Sequence, residues 1–203
     1  MLNTLQSNQH NIQLFCLLQL TDDELLETFN SNLDWKNGLI RAFEWHPSSL
    51  RCALTLYNDL IYVYAADLQR PLNHICCLKH MQQKQVSSLA WHPKREDILL
   101  VAGQSRVLIW MLQVDMQNFK PDIQKCLRVI ETPLDSPLSS IAFSPSGHTL
   151  MVCSPRNSMA CWISFNWQAL GTTKTVSTLH QISMPFAAPC TAWRWSPDRL
   201  RVL

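Results

Sequence analysis

The chain has 203 residues, of which 47% are hydrophobic and only 16% are charged, and its formal net charge is +2. This composition excludes a disordered chain, and the length is sufficient for a sizeable core. Lysine and arginine residues are dispersed, with no run beyond Lys94-Arg95, whereas nucleic-acid binding needs a clustered basic face. We therefore expect no direct nucleic-acid partner.

Residues 1–38 are expected to form an N-terminal extension outside the main fold. Thr21 and Glu24 have the spacing of a capping box, which predicts a short helix at about 22–29. Residues 1–20, which include the apolar run 12–20, match no pattern that predicts a role. This run is too short to span a bilayer, and it lacks the basic flank and cleavage site of a secretory signal. We therefore expect no transmembrane segment and, because there is no secretory signal, a reducing compartment, cytosolic or nuclear. No Cys-x-x-Cys occurs among the eight cysteines.

From residue 39 onward, one phrase recurs four times: an alternating apolar segment that ends in an aromatic residue, with a proline two positions later. The anchoring aromatic residues, successively 46, 52 and 52 residues apart, are Trp45, Trp91, Phe143 and Trp195. A second aromatic residue follows each of the first three anchors after 19 residues, at Tyr64, Trp110 and Trp162. Two fixed positions at a step of about 40 to 50 residues indicate a blade-type repeat. We interpret these seven residues as structural repeat anchors.

Each repeat contains short apolar segments separated by turn residues. The third predicted strand ends at the second aromatic residue, and a weaker fourth strand is predicted at 74–78, 126–130 and 176–182. Four strands per repeat predict an all-β propeller over 39–203, with about three and a half blades. The blades are expected at about 39–80, 84–131 and 136–182, with a fourth beginning in 189–203. An ordinary β-sandwich is the alternative, but the constant 19-residue spacing favours a propeller.

The number of repeats also leads to an expectation about the chain itself. Closed propellers typically need about four to eight blades, and three and a fraction cannot close a ring. We therefore expect this sequence to be an N-terminal fragment, or a truncated gene model, of a longer protein.

The candidate metal-binding residues do not form a metal-ligand pattern. His46 and His92 occupy the same repeat position, which favours a shared structural role over metal binding. Cys76 and Cys77 are neighbours on a predicted strand, so their side chains point to opposite faces and do not easily bind one ion. The sequence therefore predicts no metal site and no cofactor.

The candidate nucleophiles and carboxylates likewise lack a catalytic pattern. The repeated serine pairs 87–88 and 139–140 have no Gly-x-Ser-x-Gly context. The carboxylate pairs 22–23 and 96–97 fit a helix first turn and a solvated turn. We predict that no residue is catalytic and that the protein is not an enzyme. An enzyme using the central channel is the alternative, and it would depend on Arg41 and Glu44.

At its repeated positions the chain resembles the WD-repeat family. The third strand of that family normally ends in Trp-Asp, whereas the pairs here are Tyr64-Ala65, Trp110-Met111 and Trp162-Ile163. The family's Gly-His pair is degraded, with Lys79-His80 as the nearest match. The resemblance implies divergent blades that lack the family's buried Asp–His network and depend more on apolar packing.

Three segments are also similar to the WD-repeat nucleoporins, across about residues 21–200. They comprise 23–29 with 35 and 40–47, then 86–91 with 104–105 and 108–110, and finally 138–147. The resemblance implies a non-enzymatic scaffold of the nuclear pore complex at the nuclear envelope, held by a transmembrane nucleoporin beside other nucleoporins and contributing to nucleocytoplasmic transport. A generic adaptor in ubiquitin ligation or RNA processing is the alternative, because a fold does not fix a function.

Overall fold

The computed structural model describes residues 39–66, 72–118, 120–135, 137–156, 159–169, 177–183 and 195. All of them belong to the second of two compact units into which the chain divides, Leu39–Leu203. The predicted helix at 22–29 lies outside the described residues, as does the predicted fourth blade apart from Trp195.

Three four-stranded antiparallel sheets make up the described part of the chain. The first contains β1 (Ile40–Trp45), β2 (Arg51–Leu56), β3 (Ile61–Ala65) and β4 (Asn73–Leu78). The second contains β5 (Ser88–Trp91), β6 (Ile98–Ala102), β7 (Arg106–Asp115) and β8 (Lys120–Glu131). The third contains β9 (Ser140–Phe143), β10 (Thr149–Cys153), β11 (Met159–Phe165) and β12 (Ser177–Ser183). The strands pair in chain order within each sheet, and a single-turn 3-10 helix, Trp167–Ala169, follows β11.

We call these sheets blade one, blade two and blade three. The first strands lie side by side, β1 beside β5 and β5 beside β9. Blade two is buried on both faces: Leu99, Val101 and Leu108 pack toward blade one, and Leu100 and Ile109 pack toward blade three. This arrangement explains why β6 is apolar and buried at every position. The predicted all-β structure with four-stranded blades is confirmed in these three sheets.

The strand register defines two rims. Ile40 pairs with Leu56, and Ile61 pairs with Leu78, so the start of β1, the turn 57–60 and the loop 79–87 lie at one end of blade one. We call this end, where the first strand of each blade begins, the upper rim. The loops 46–50, 92–97 and 144–148 lie at the opposite end, the lower rim.

The outer hairpin of blade two is longer than the sequence predicted. The third strand was expected to end at Trp110, but β7 continues to Asp115, and β8 begins at Lys120 instead of residue 126. The added residues pair with each other, with a register shift near Gln113, and Leu112 donates its backbone hydrogen to the Asp97 carbonyl oxygen. Their polar composition concealed this extension, because most of the added residues of β8 are exposed.

The chain contains only four glycines, and among the described residues two that are not glycine lie in the left-handed region. Asp59 has φ 62° in the turn between β2 and β3, and Gln85 has φ 50° in the loop before β5. This conformation costs free energy for residues other than glycine, so surrounding interactions must stabilise it. Both residues lie on the upper rim, Asp59 in a turn within blade one and Gln85 in the connection from blade one to blade two.

Candidate functional site

The first-position aromatic residues lie at the ends of the first strands. Trp45, Trp91 and Phe143 close β1, β5 and β9. Trp91 is 4% exposed, and its Nε1 donates a hydrogen bond to the Glu44 carbonyl oxygen of blade one at 3.2 Å. Trp195 makes the equivalent bond to the Ala142 carbonyl oxygen of blade three, also at 3.2 Å. An indole at this position therefore joins its blade to the preceding one.

Phe143 occupies the same repeat position but has no donor. Its ring packs against His92 with a centroid distance of 5.1 Å, and it packs against Phe165 and Trp167 as well. The boundary between blade two and blade three therefore relies on aromatic packing at the place where the other boundary has an indole hydrogen bond.

The second-position aromatic residues are not equivalent in the structure. Tyr64 pairs with Cys52, and Trp110 pairs with Leu99, the partner residues of the anchors Trp45 and Trp91. In blade three, Leu150 pairs with both Phe143 and Ile163. Ile163, and not Trp162, is therefore the counterpart of Trp110.

The reason is a one-residue difference in the connections. A shift of one residue moves a strand side chain to the opposite face. Ile163 faces blade two and is fully buried, whereas Trp162 pairs with Met151 on the other face and is 38% exposed. The constant 19-residue spacing in the sequence thus does not correspond to a constant position in the blade.

A buried glutamine, Gln83, connects blade one to blade two, although no sequence pattern marked it as a candidate. Gln83 is 3% exposed, and its Nε2 donates to the carbonyl oxygens of Asp59 at 2.6 Å and Leu78 at 3.1 Å. Its Oε1 accepts a hydrogen bond from Trp110 Nε1 at 3.2 Å. The Asp59 carboxylate also accepts from the backbone nitrogen of Val86 at 2.8 Å. A polar network therefore exists at the upper rim, although the resemblance implied that apolar packing would dominate.

His46 and His92 act alike at the lower rim. His46 Nδ1 accepts a hydrogen bond from the backbone of Ser48, and His92 Nδ1 accepts one from the backbone of Lys94. Each ring meets the anchor of the next blade edge-on, His46 against Trp91 and His92 against Phe143. Both side chains therefore cap a turn and pack at a blade boundary.

Burial lowers the pKa of both imidazoles. Desolvation is the larger cause for His46, and it lowers the pKa of His92 to about 4 with a further contribution from the Arg95 guanidinium. The His92 ring also lies against Gly147, which has φ 78°, and a Cβ at that glycine would collide with the ring. Both histidines are neutral at pH 7, as their capping role requires.

Of the carboxylates 96–97, Glu96 lies at the boundary between the first two blades, whereas Asp97 forms its ion pair within its own turn. Asp97 pairs with Arg95 at 2.8 Å, and Glu96 lies 3.8 Å from Arg51 of blade one. Arg51 is buried, and its Nη1 also donates to the Glu96 carbonyl oxygen at 3.1 Å. The arrangement resembles a structural ion pair between blades.

The repeated serines also bond to the backbone of the blades. Ser88 Oγ accepts from the Ile141 backbone nitrogen at 3.3 Å, and Ser139 Oγ donates to the Cys153 carbonyl oxygen at 3.3 Å. Burial raises the pKa of Cys76 to about 11, and the adjacent Cys77 is half-buried. Within the described ranges, no group of three or more metal-ligating side chains lies together.

No protein-family model matches the chain. Its structure is similar to that of Sqt1 from Saccharomyces cerevisiae, a WD40 protein, with a TM-score of 0.60 and 14% identity over 80% of this chain and 40% of Sqt1. It is also similar to a propeller protein from Lactobacillus plantarum, with a TM-score of 0.61 and 19% identity over 80% of this chain and 46% of that protein.

The chain therefore has a β-propeller fold. It spans less than half the length of each of these two propellers. In the part of the chain that the structure describes, no helix is long and apolar enough to cross a membrane. With this fold, the surfaces available for binding are the two rims and the outer edges of the blades.

Proposed function

We propose that the protein is a non-enzymatic WD-repeat scaffold of the nuclear pore complex, similar to aladin, and that it contributes to nucleocytoplasmic transport. The observation that carries the proposal is the ordered set of three segments that resemble aladin. Residues 40–47, 86–91 and 138–147 include the first strands of the three blades and the turns that follow β1 and β9.

The arrangement of the polar side chains supports a binding role without chemistry. The serines, histidines and carboxylates discussed above take part in turn caps, backbone hydrogen bonds and ion pairs at blade boundaries. A catalytic site needs a nucleophile or base whose reactive atom is available to a substrate. Groups already engaged in holding blades together are better suited to a scaffold.

The partners of such a scaffold would be other nucleoporins, including a transmembrane nucleoporin that holds it at the nuclear envelope. The experiment is to tag the endogenous full-length protein and image it in interphase cells. We expect a nuclear rim that overlaps a pore marker. A diffuse cytosolic signal with no rim would contradict the proposal.

A generic adaptor role in ubiquitin ligation or RNA processing is the second candidate, because a propeller fold is compatible with many partners. The partner set distinguishes the two. Affinity purification that returns ligase or RNA-processing subunits without nucleoporins would favour the second candidate.

A further inference from the structure

The exposed apolar side chains are distributed unevenly between the rims. Six large hydrophobic residues are exposed among those described, and four of them lie on the upper rim next to blade one: Leu39 at 52%, Ile40 at 59%, Tyr57 at 56% and Met81 at 88%. The other two lie within strands, and none lies on the lower rim in the described ranges. Single exposed apolar residues are ordinary, but a cluster on one rim indicates an interaction surface.

The elements that carry these residues are bonded to one another. The Arg41 guanidinium lies over the Tyr57 ring, 5.3 Å from its centroid, and its Nη1 is 3.8 Å from Asp59. The Asp59 carboxylate accepts from the Val86 backbone, which joins the turn 57–60 to the loop 79–87. The start of β1, the turn and the loop therefore form one continuous surface.

The loop that presents Met81 is held in place by buried residues and backbone hydrogen bonds. Gln83 is buried and bonds to both blades, and the Lys84 carbonyl oxygen accepts from the Gln104 backbone at 2.8 Å. Val86 is fully buried. A loop that is already ordered loses little conformational entropy on binding. Methionine adds a flexible, polarisable contact that adapts to an apolar partner.

The charge around this surface is positive. Lys79 and Lys84 are exposed, and neither pairs with a carboxylate of the described residues. The one carboxylate in residues 39–41, 57–60 and 79–87 is Asp59, which faces Arg41 and the Val86 backbone. Complementary charge steers association and selects partners.

We propose that this surface, formed by Leu39, Ile40, Tyr57 and Met81 with Lys79 and Lys84, binds a protein segment that has apolar side chains flanked by acidic residues. The proposal rests on the scaffold role proposed above and assigns a docking surface to it. Tyr57 and Met81 provide the apolar contact at the centre, and the two lysines bind the acidic flanks.

The experiment selects displayed random 12-residue peptides on the immobilised full chain and measures synthetic versions by fluorescence polarisation. We expect the selected peptides to combine large apolar residues with Asp or Glu. The double variant Tyr57→Ser with Met81→Glu should weaken binding about tenfold or more, as loss of a hot-spot contact does. The double variant Lys79→Glu with Lys84→Glu should weaken it several-fold and reduce its salt dependence.

Lys94→Glu, a charge reversal on the lower rim, is the matched control and should leave peptide affinity unchanged. Melting curves check that each variant folds, and these exposed positions should tolerate the changes. The inference is overturned if no peptide is enriched, if the enriched peptides are basic, or if the upper-rim variants bind them as well as the wild type. A dimer that Met81→Glu abolishes would overturn it in favour of self-association. Peptide binding without a nuclear rim would contradict only the proposed pore function, and a nuclear rim without peptide binding would contradict only this inference.

Discussion

The indole nitrogen of Trp91 donates a hydrogen bond to the carbonyl oxygen of Glu44, 3.2 Å away, across the boundary between blade one and blade two. Glu44 immediately precedes Trp45, the anchor of its own blade. The same relationship occurs at a second place in the chain. Trp195 donates to the carbonyl oxygen of Ala142, and Ala142 immediately precedes the anchor Phe143. The boundary contact therefore follows the same register as the sequence repeat.

Truncation of Trp91 is expected to destabilise the protein strongly. Trp91→Ala removes a buried indole and should lower the free energy of unfolding by about 3–5 kcal/mol. Trp91→Phe retains most of the packing but removes the hydrogen bond to the Glu44 carbonyl oxygen, and it should cost about 1 kcal/mol. Denaturant unfolding measures both changes. Trp162→Phe, at a partly exposed position, is the control, and equal losses at the two sites would contradict the boundary role of Trp91.

Phe143→Trp tests whether the boundary bond can be transferred. The new indole would lie opposite the Ala90 carbonyl, the counterpart of Glu44 and Ala142. If it bonds there, the free energy of unfolding should rise by about 1 kcal/mol. The measurement is the midpoint of chemical unfolding, with Phe143→Leu as a comparison. A loss of stability would show that His92 and Trp167 already fill the space, since overpacking a core is destabilising.

Gln83 is expected to contribute more to the free energy of unfolding than the exposed polar residues beside it. Gln83→Ala would leave the buried Trp110 Nε1 and two carbonyl oxygens without their partner, and it should lower the free energy of unfolding by about 1–3 kcal/mol. Gln82→Ala, next to it but exposed, should change stability by less than about 0.5 kcal/mol. Unfolding followed by tryptophan fluorescence distinguishes the two. Similar values for both variants would mean that the network does not support the loop.

Stability should fall as the pH is lowered from about 6.5 to about 4. The pKa of His92 is lowered to about 4 by burial, so across this window the unfolded state binds a proton that the folded state does not. The pKa of His46 is lowered too, so both groups contribute stability that is present above pH 6.5. His92→Asn retains an acceptor for the Lys94 backbone and removes the titration. It should therefore flatten the pH dependence, measured by melting temperature. An unchanged slope for His92→Asn would contradict the assignment.

The positions of the strands were largely readable from the sequence, because each anchor phrase alternates apolar residues and ends at a proline. Trp91 and Trp110 were expected at packing positions and are buried. Trp162 shows the limit of this reasoning. Spacing along the chain does not reveal a one-residue change in a connection, and that change decides which face of a strand a side chain occupies.

Two other features had no sequence signal. Gln83 lies in a run of glutamine and lysine residues that is typical of an exposed loop, and only the three-dimensional path of the chain buries it. The exposed apolar surface of the upper rim combines residues from three separated segments. None of those segments is unusual alone, so the surface becomes evident only when the register places them at one end of blade one.

The indole-to-carbonyl bond has a consequence for how the blades find their order. The donor is an indole at one fixed repeat position, and the acceptor is a backbone carbonyl oxygen. This head-to-tail contact is therefore the same at each boundary where it occurs. A domain-swapped assembly, in which a blade of one molecule took its place in another, would retain the bond. Correct order must therefore depend on contacts that are particular to one boundary, such as Gln83 with Trp110 and Arg51 with Glu96.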